Sequence, residues 1–215
     1  MPIRAKLYAA IVMTVLGPLV TIAVAFSAFS SLGTRFDDVA RRSERQALAL
    51  ELKFAVTDVN GWQTAYGYDA GRSRPEFERS SVEVRRLLAR AQREFSEPRE
   101  RVLVARVTEA FADFMRLDAV AYRALRAHRP ERTRRIFLGP EIRNFQAMAD
   151  AAGRLAAEQA RAVVQARRQF ATARRDARRR LVTVALGAGV LIVLLLVTAQ
   201  DVVRLALERP ARPGR

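Results

Sequence analysis

The chain contains no cysteine and a single histidine, His128. No disulfide framework, thiolate metal site or thiol nucleophile is therefore available, and a metal site would need carboxylates alone. The lack of cysteine suits either side of a membrane, so it leaves the redox compartment open. Lysine is almost as scarce: Lys6 and Lys53 are the only two among 38 basic residues. Between residues 36 and 180 there is no alternating β-branched run, and no Asn-Gly turn joins two such runs, so no strand is predicted. Also missing are an aromatic-interleaved basic motif, zinc-finger spacing and a Gly-rich phosphate loop. Nucleic acid is accordingly not expected as a partner.

Charge is abundant but uneven. The 215 residues carry a formal net charge of +16, and 28% of them are charged. A balance of this kind marks anionic partners or, equally, the Ala/Arg/Val-rich coding of a GC-rich genome. The acids lie among arginines at helical spacing, as in Arg90/Glu94 and Asp113/Arg116, which is the pattern of solvated ion pairs. Asp37 and Asp38 suit a helix's first turn, and His128 suits the last turn of another. No constellation points to catalysis, a metal or a cofactor, and the chain reads as a non-enzyme.

Two uncharged runs stand at the ends. Residues 7–32 lie between Lys6 and Arg35, and as a helix they would rise about 39 Å, enough to cross a bilayer core with tilt. Pro18 follows Gly17 inside this run, where a membrane helix tolerates a kink. Residues 181–200 form the second run, between Arg180 and Asp201. The first run also fits a cleavable signal peptide, with Ala23-Val24-Ala25 as its small-residue site. The expected layout is a short basic N-terminus (1–6), a transmembrane helix (7–32), a helical domain (33–180), a second transmembrane helix (181–200) and a basic tail (201–215). Basic side chains near the spans are more numerous on the inner flanks than at the two ends. The positive-inside rule taken literally would keep the domain cytoplasmic, although long domains translocate largely regardless of charge.

Within 33–180 apolar residues recur at helical spacing. Leu48, Leu52, Ala55, Val59, Trp62 and Tyr66 mark a first helix, and Phe77, Ser81, Val84, Leu88, Ala91 and Phe95 a second. Leu103, Val107, Ala110, Phe114, Leu117, Ala121 and Leu125 mark a third. A fourth carries Ile142, Phe145, Ala149, Ala152, Ala156, Val163, Ala166, Phe170, Ala173 and Ala177. Breaks are predicted at Gly71–Pro75, Glu97-Pro98, Arg129-Pro130 and Gly139-Pro140. Four amphipathic segments with short connections predict an all-α fold, an antiparallel four-helix bundle whose outer helices continue into the two spans. Such a bundle can carry a small sliding of one helix across a bilayer.

Two segments, DVNGWQTAYGYD at 58–69 and RRIFLGPEIRNF at 134–145, resemble parts of the four-helix-bundle sensor domain of methyl-accepting chemotaxis receptors. The first is similar to the late part of that domain's first helix, the second to the Leu-Gly turn before its fourth. With both spans, the resemblance covers roughly residues 1–205. It implies a two-pass protein of a bacterial cytoplasmic membrane, with the central domain outside and paired side by side as a dimer. It further implies a small ligand bound near the dimer interface and a piston-like shift of the second span. The stretch at 204–210, RLALERP, resembles the start of a HAMP linker. The sequence ends at Arg215 without a HAMP helix or signalling coiled coil, so a module that modulates a full-length receptor partner is expected.

Asn60, Trp62, Gln63 and Tyr66 are the candidate ligand-binding residues, an aromatic and amide-lined group on one helix. The competing reading makes Trp62 and Tyr66 plain core. Asn60-Gly61 in mid-helix costs helix stability and points to close packing or a kink. The many arginines would suit a small anionic ligand, a carboxylate or phosphate. A cytoplasmic domain would instead make the protein an adaptor whose residues 167–180 lie on anionic lipid headgroups. A truncated receptor remnant is a third reading.

Overall fold

The computed structural model describes the backbone of residues 3–207 and, within it, the side chains of residues 12, 14–197, 199, 200 and 204. Met1, Pro2 and the Arg209-Pro210 pair of the linker-like tail lie outside the described residues. The described residues are helical almost throughout and contain no strand: α1 (Ile3–Tyr68), α2 (Arg74–Glu94), α3 (Pro98–Arg126), α4 (Pro130–Ile136), a π-turn (Phe137–Glu141) and α5 (Ile142–Leu207).

Local chemistry sets the helix ends. At the end of α1, Ala70 and Gly71 adopt positive φ, and the Gly71 N–H reaches back to the Tyr66 carbonyl at 2.8 Å. A left-handed residue is what ends an α-helix, and glycine takes that conformation without penalty. Asp69 then accepts from the Ser73 N–H and hydroxyl, which ties the turn to the start of α2 and lowers the Asp69 pKa. Pro75 and Pro98 occupy first-turn positions of α2 and α3, where a missing N–H costs nothing. Glu97 and Glu100 form a reciprocal capping box on α3. At its far end His128 takes φ 53°, with His128 N–H bonded to the Leu125 carbonyl and Arg129 N–H to that of Ala124. These two bonds define a Schellman motif, with His128 in the place glycine usually fills.

Gly139-Pro140 does not break the chain as the turn chemistry suggests. α4 passes into α5 through the π-turn, and Ile142 N–H bonds the Phe137 carbonyl five residues back. Proline lacks the N–H needed for an i→i−4 bond and its ring crowds the carbonyl four residues earlier. Widening the turn by one residue accommodates both defects and keeps the segment helical.

By compactness the chain divides into two units. In the larger, residues 38–167, a single core gathers Leu48, Leu52, Val56, Val59 and Tyr66 from α1 with Phe77, Val84 and Leu88 from α2. Leu103, Val107 and Phe114 of α3 and Met148, Ala152 and Leu155 of α5 complete it. Burial of each Val, Leu, Phe or Met among them stabilises by about 1.5–3 kcal/mol. Polar links between helices accompany the core: Ser80 Oγ donates to Asp58 at 2.7 Å, and Gln159 Nε2 to Glu100 at 2.6 Å.

The other unit consists of the start of α1, to Asp37, and the end of α5, from Arg168. Phe36 and Phe170 are 6.3 Å apart between ring centroids, and a Cβ added at Gly17 would sit 3.5 Å from Leu191. Large apolar side chains point outward along both segments, among them Phe26 (75% exposed) and Leu186 (67%). α1 and the helix ending in α5 are long and apolar enough to cross a membrane.

Candidate functional site

The part of the larger unit beside the π-turn holds a polar network where the helical pattern calls for apolar residues. α1 supplies Gln63 and Tyr66, α2 supplies Arg74, α3 supplies Asp118, and the π-turn supplies Glu141. Gln63, Tyr66, Asp118 and Glu141 are all buried. Tyr66 donates its hydroxyl to Asp118 Oδ1, which also accepts from Gln63 Nε2 at 3.2 Å. Gln63 Nε2 makes a second bond, to Glu141 Oε1. Arg74 Nη1 pairs with Asp118 Oδ2 at 2.7 Å.

The guanidinium of Arg74 lies within 5.0 Å of the Tyr66 ring centre, 4.5 Å of Phe77 and 4.4 Å of Tyr122. An aromatic cage of this kind attracts the cation through the rings' negative faces. Tyr66 itself meets Phe77, Tyr122 and Phe137 edge-on, with centroids 5.4 to 5.9 Å apart. Asp118 thus accepts from a cation and from two neutral donors. Glu141 has one donor, Gln63, and its Oε2 has no hydrogen-bond partner. Burial, reinforced by the negative charge of Asp118, pushes the Glu141 carboxyl up to about 8. Burial and the same carboxylate raise the Tyr66 phenol, which stays neutral over the ordinary pH range.

A cavity of about 330 Å³ adjoins this network. Asn60, Gln63, Thr64, Gly67 and Tyr68 line it from α1, and Leu125 from α3. The opposite wall comes from Glu131, Thr133 and Arg134 of α4, Phe137 and Leu138 of the π-turn, and Ile142. Its size falls in the range of small-molecule sites, about 300–1,000 Å³. Gly67 permits the close approach of that wall, since a Cβ there would come within 2.5 Å of the Phe137 ring.

Of the four candidate residues, Asn60 and Gln63 line the cavity, and Tyr66 lies behind it in the core. Trp62 is in neither place. It is 37% exposed, because the buried face of α1 runs Val59, Gln63, Tyr66 and so turns Trp62 outward. Close packing occurs at Gly67 and not at Gly61, whose added Cβ would meet nothing within 4 Å. Asp118, Glu141 and Arg74 were not among the candidates, yet Asp118 left a mark. Asp118 stands between Phe114 and Ala121 at the four- and three-residue steps that keep all three on one buried face, where a charge is out of place.

Among the described residues no group of three or more His, Asp or Glu side chains could hold a metal ion. Two carboxylates bridged by one amide, with an arginine and a phenol on one of them, can hold or release a proton and can register displacement of any member. No protein-family model, curated protein or solved structure matches the chain.

Proposed function

We propose that the chain is a two-pass membrane protein whose residues 33–180 form an antiparallel four-helix bundle, an extracytoplasmic sensory module that takes a small ligand in the cavity beside Gln63. Supporting membrane insertion are the outward-facing apolar side chains of both end segments, which water would solvate poorly and lipid would not. The likeness of segments 58–69 and 134–145 to chemotaxis-receptor sensor domains supports the orientation and the role. Leu50 and Phe54, a helical turn apart and exposed on α1, supply an apolar face on which two copies pair.

The observation that carries the sensing role is the buried network on the cavity wall. An apolar core of the same shape would be at least as stable as one with two carboxylates and a guanidinium, so stability alone does not account for these groups. The network joins two side chains of α1 to one each from α2, α3 and the π-turn, so a ligand touching Gln63 perturbs contacts of all four. α1, with five lining residues, and α5, with Ile142, each join the cavity to an apolar segment along one helix, the arrangement a transmembrane signal needs.

The test is a thermal-shift screen of a mixed solute library, small acids, amines, sugars and alcohols, on the full chain in detergent. Thr64 is exposed and lines the cavity, so Thr64→Trp fills it without disturbing the core. At least one solute is expected to raise the wild-type melting temperature and not that of Thr64→Trp. A library in which no solute distinguishes the two proteins contradicts the reading.

A further inference from the structure

We infer that the cavity beside the π-turn is a site for an amphipathic ammonium ligand, a primary amine carried on a small apolar body. The inference rests on the sensory reading above and specifies the chemistry of its ligand. It follows from which hydrogen-bonding capacity of the lining is already spent.

Gln63 and Thr133 are the buried polar side chains of the lining, each 4% exposed. Gln63 commits its amide nitrogen to both Asp118 and Glu141, which accounts for its two N–H donors. Asp118 also fixes the orientation of the amide, because the reverse would set a carbonyl oxygen against its carboxylate oxygen. What Gln63 offers the cavity is a carbonyl acceptor. Thr133 directs its hydroxyl hydrogen at the Ala121 and Arg129 carbonyls, at 3.4 and 3.3 Å, so it too offers only lone pairs. At the mouth, the Thr64 hydroxyl donates to the Asn60 carbonyl at 2.9 Å, and Glu131 makes no ion pair with another described residue. The available donors, Arg134, the amide of Asn60 and the Tyr68 hydroxyl, are more exposed than Gln63 and Thr133.

The buried side is therefore rich in acceptors and poor in donors. A carboxylate placed there would face lone pairs, whereas an ammonium group would find the Gln63 carbonyl and the Thr133 oxygen. The remaining wall is apolar, from Leu125, Phe137, Leu138 and Ile142. It suits an alkyl or aryl body, and the Phe137 ring adds a face that attracts cations. This runs against the overall charge of +16, which by itself favours anions. Short-range hydrogen bonding at a buried wall outweighs the long-range field, which salt screens within ~10 Å.

Three probes of equal apolar body separate the cases: 2-phenylethylammonium, 3-phenylpropionate and 2-phenylethanol, each titrated against the full chain at pH 7 in one detergent. The ammonium is expected to give a saturable rise in melting temperature that Thr64→Trp abolishes. Glu131→Gln is expected to weaken it about two- to five-fold, the range for a partly exposed charge pair. A rise with the carboxylate or the alcohol as large as with the ammonium overturns the assignment while leaving the sensory reading standing. So does an ammonium effect that survives Thr64→Trp, which would belong to the micelle or to another surface. No rise with any of the three also overturns it, and the mixed library then decides separately whether the cavity binds anything.

Discussion

Replacing Glu141 with glutamine tests the electrostatics of the network directly. The substituted amide keeps the shape of the side chain and still accepts from Gln63 Nε2, but it cannot ionise. In the wild type the carboxyl is moved from its ordinary 4.5 to about 8 by burial and by Asp118. A folded-state pKa above the unfolded one means that the folded chain binds more protons between the two values. Stability is then full below about pH 4.5, falls as pH rises toward 8, and levels off above it. The displacement is equivalent to about 5 kcal/mol at ~1.4 kcal/mol per tenfold change in proton affinity. At about 2–4 °C per kcal/mol, the wild-type helical domain should lose roughly 10–20 °C of melting temperature relative to Glu141→Gln between pH 4.5 and 9. Taking the difference between the two proteins at each pH removes the titrations they share, and the neutral Tyr66 phenol adds none in this range. Circular dichroism at 222 nm on the full chain in detergent measures it. Parallel melting curves at every pH would refute the claim that Glu141 is held protonated by its surroundings.

Further outcomes follow from the same contacts. Asp118→Asn removes the charge that helps raise Glu141, so the midpoint of the wild-type pH dependence should move down, while loss of the Arg74 partner costs about 3 kcal/mol of baseline stability. Both effects are read from the same melting series. Gly67→Ala forces the Phe137 ring aside and should destabilise by about 1–2 kcal/mol net of the helix-propensity gain. Gly61→Ala meets open space and should instead stabilise by up to about 1 kcal/mol. If two copies pair through the proposed Leu50/Phe54 face, Phe54→Glu puts a charge on it and should leave a monomer where the wild type is a dimer in light scattering of the detergent complex.

Much of the architecture was legible because its causes are local. Two uncharged runs, prolines at the starts of α2 and α3, and helical spacing of apolar residues place α1, α2 and α3 within a few residues, whereas α4 (Pro130–Ile136) falls where only a break is expected. The misplaced parts share one physical origin. Pattern reasoning follows apolar residues, so on α1 it continued from Val59 to Trp62, and on α3 from Phe114 to Leu117. The buried positions are Gln63 and Asp118, polar residues that tolerate burial because each is bonded to partners from other helices. Those partners are remote in sequence, Asp118 lying 55 residues from Gln63 and Glu141 78 residues from it. No local pattern can pair them. Gly139-Pro140 misled for a related reason. A Gly-Pro pair marks a turn when its backbone meets water, but here it closes one wall of a cavity, and a π-turn keeps the segment helical.

The proposed sensory role requires the helical domain to lie outside a membrane crossed by both end segments. Arg72, exposed in the turn between α1 and α2, replaced by cysteine in a chain with no other cysteine, gives a single reporter of that orientation. Intact cells are treated with a membrane-impermeant maleimide, with lysed cells as the reference. The account predicts labelling of intact cells to the level seen after lysis. Labelling only after lysis would put the domain in the cytoplasm and contradict an extracytoplasmic sensor.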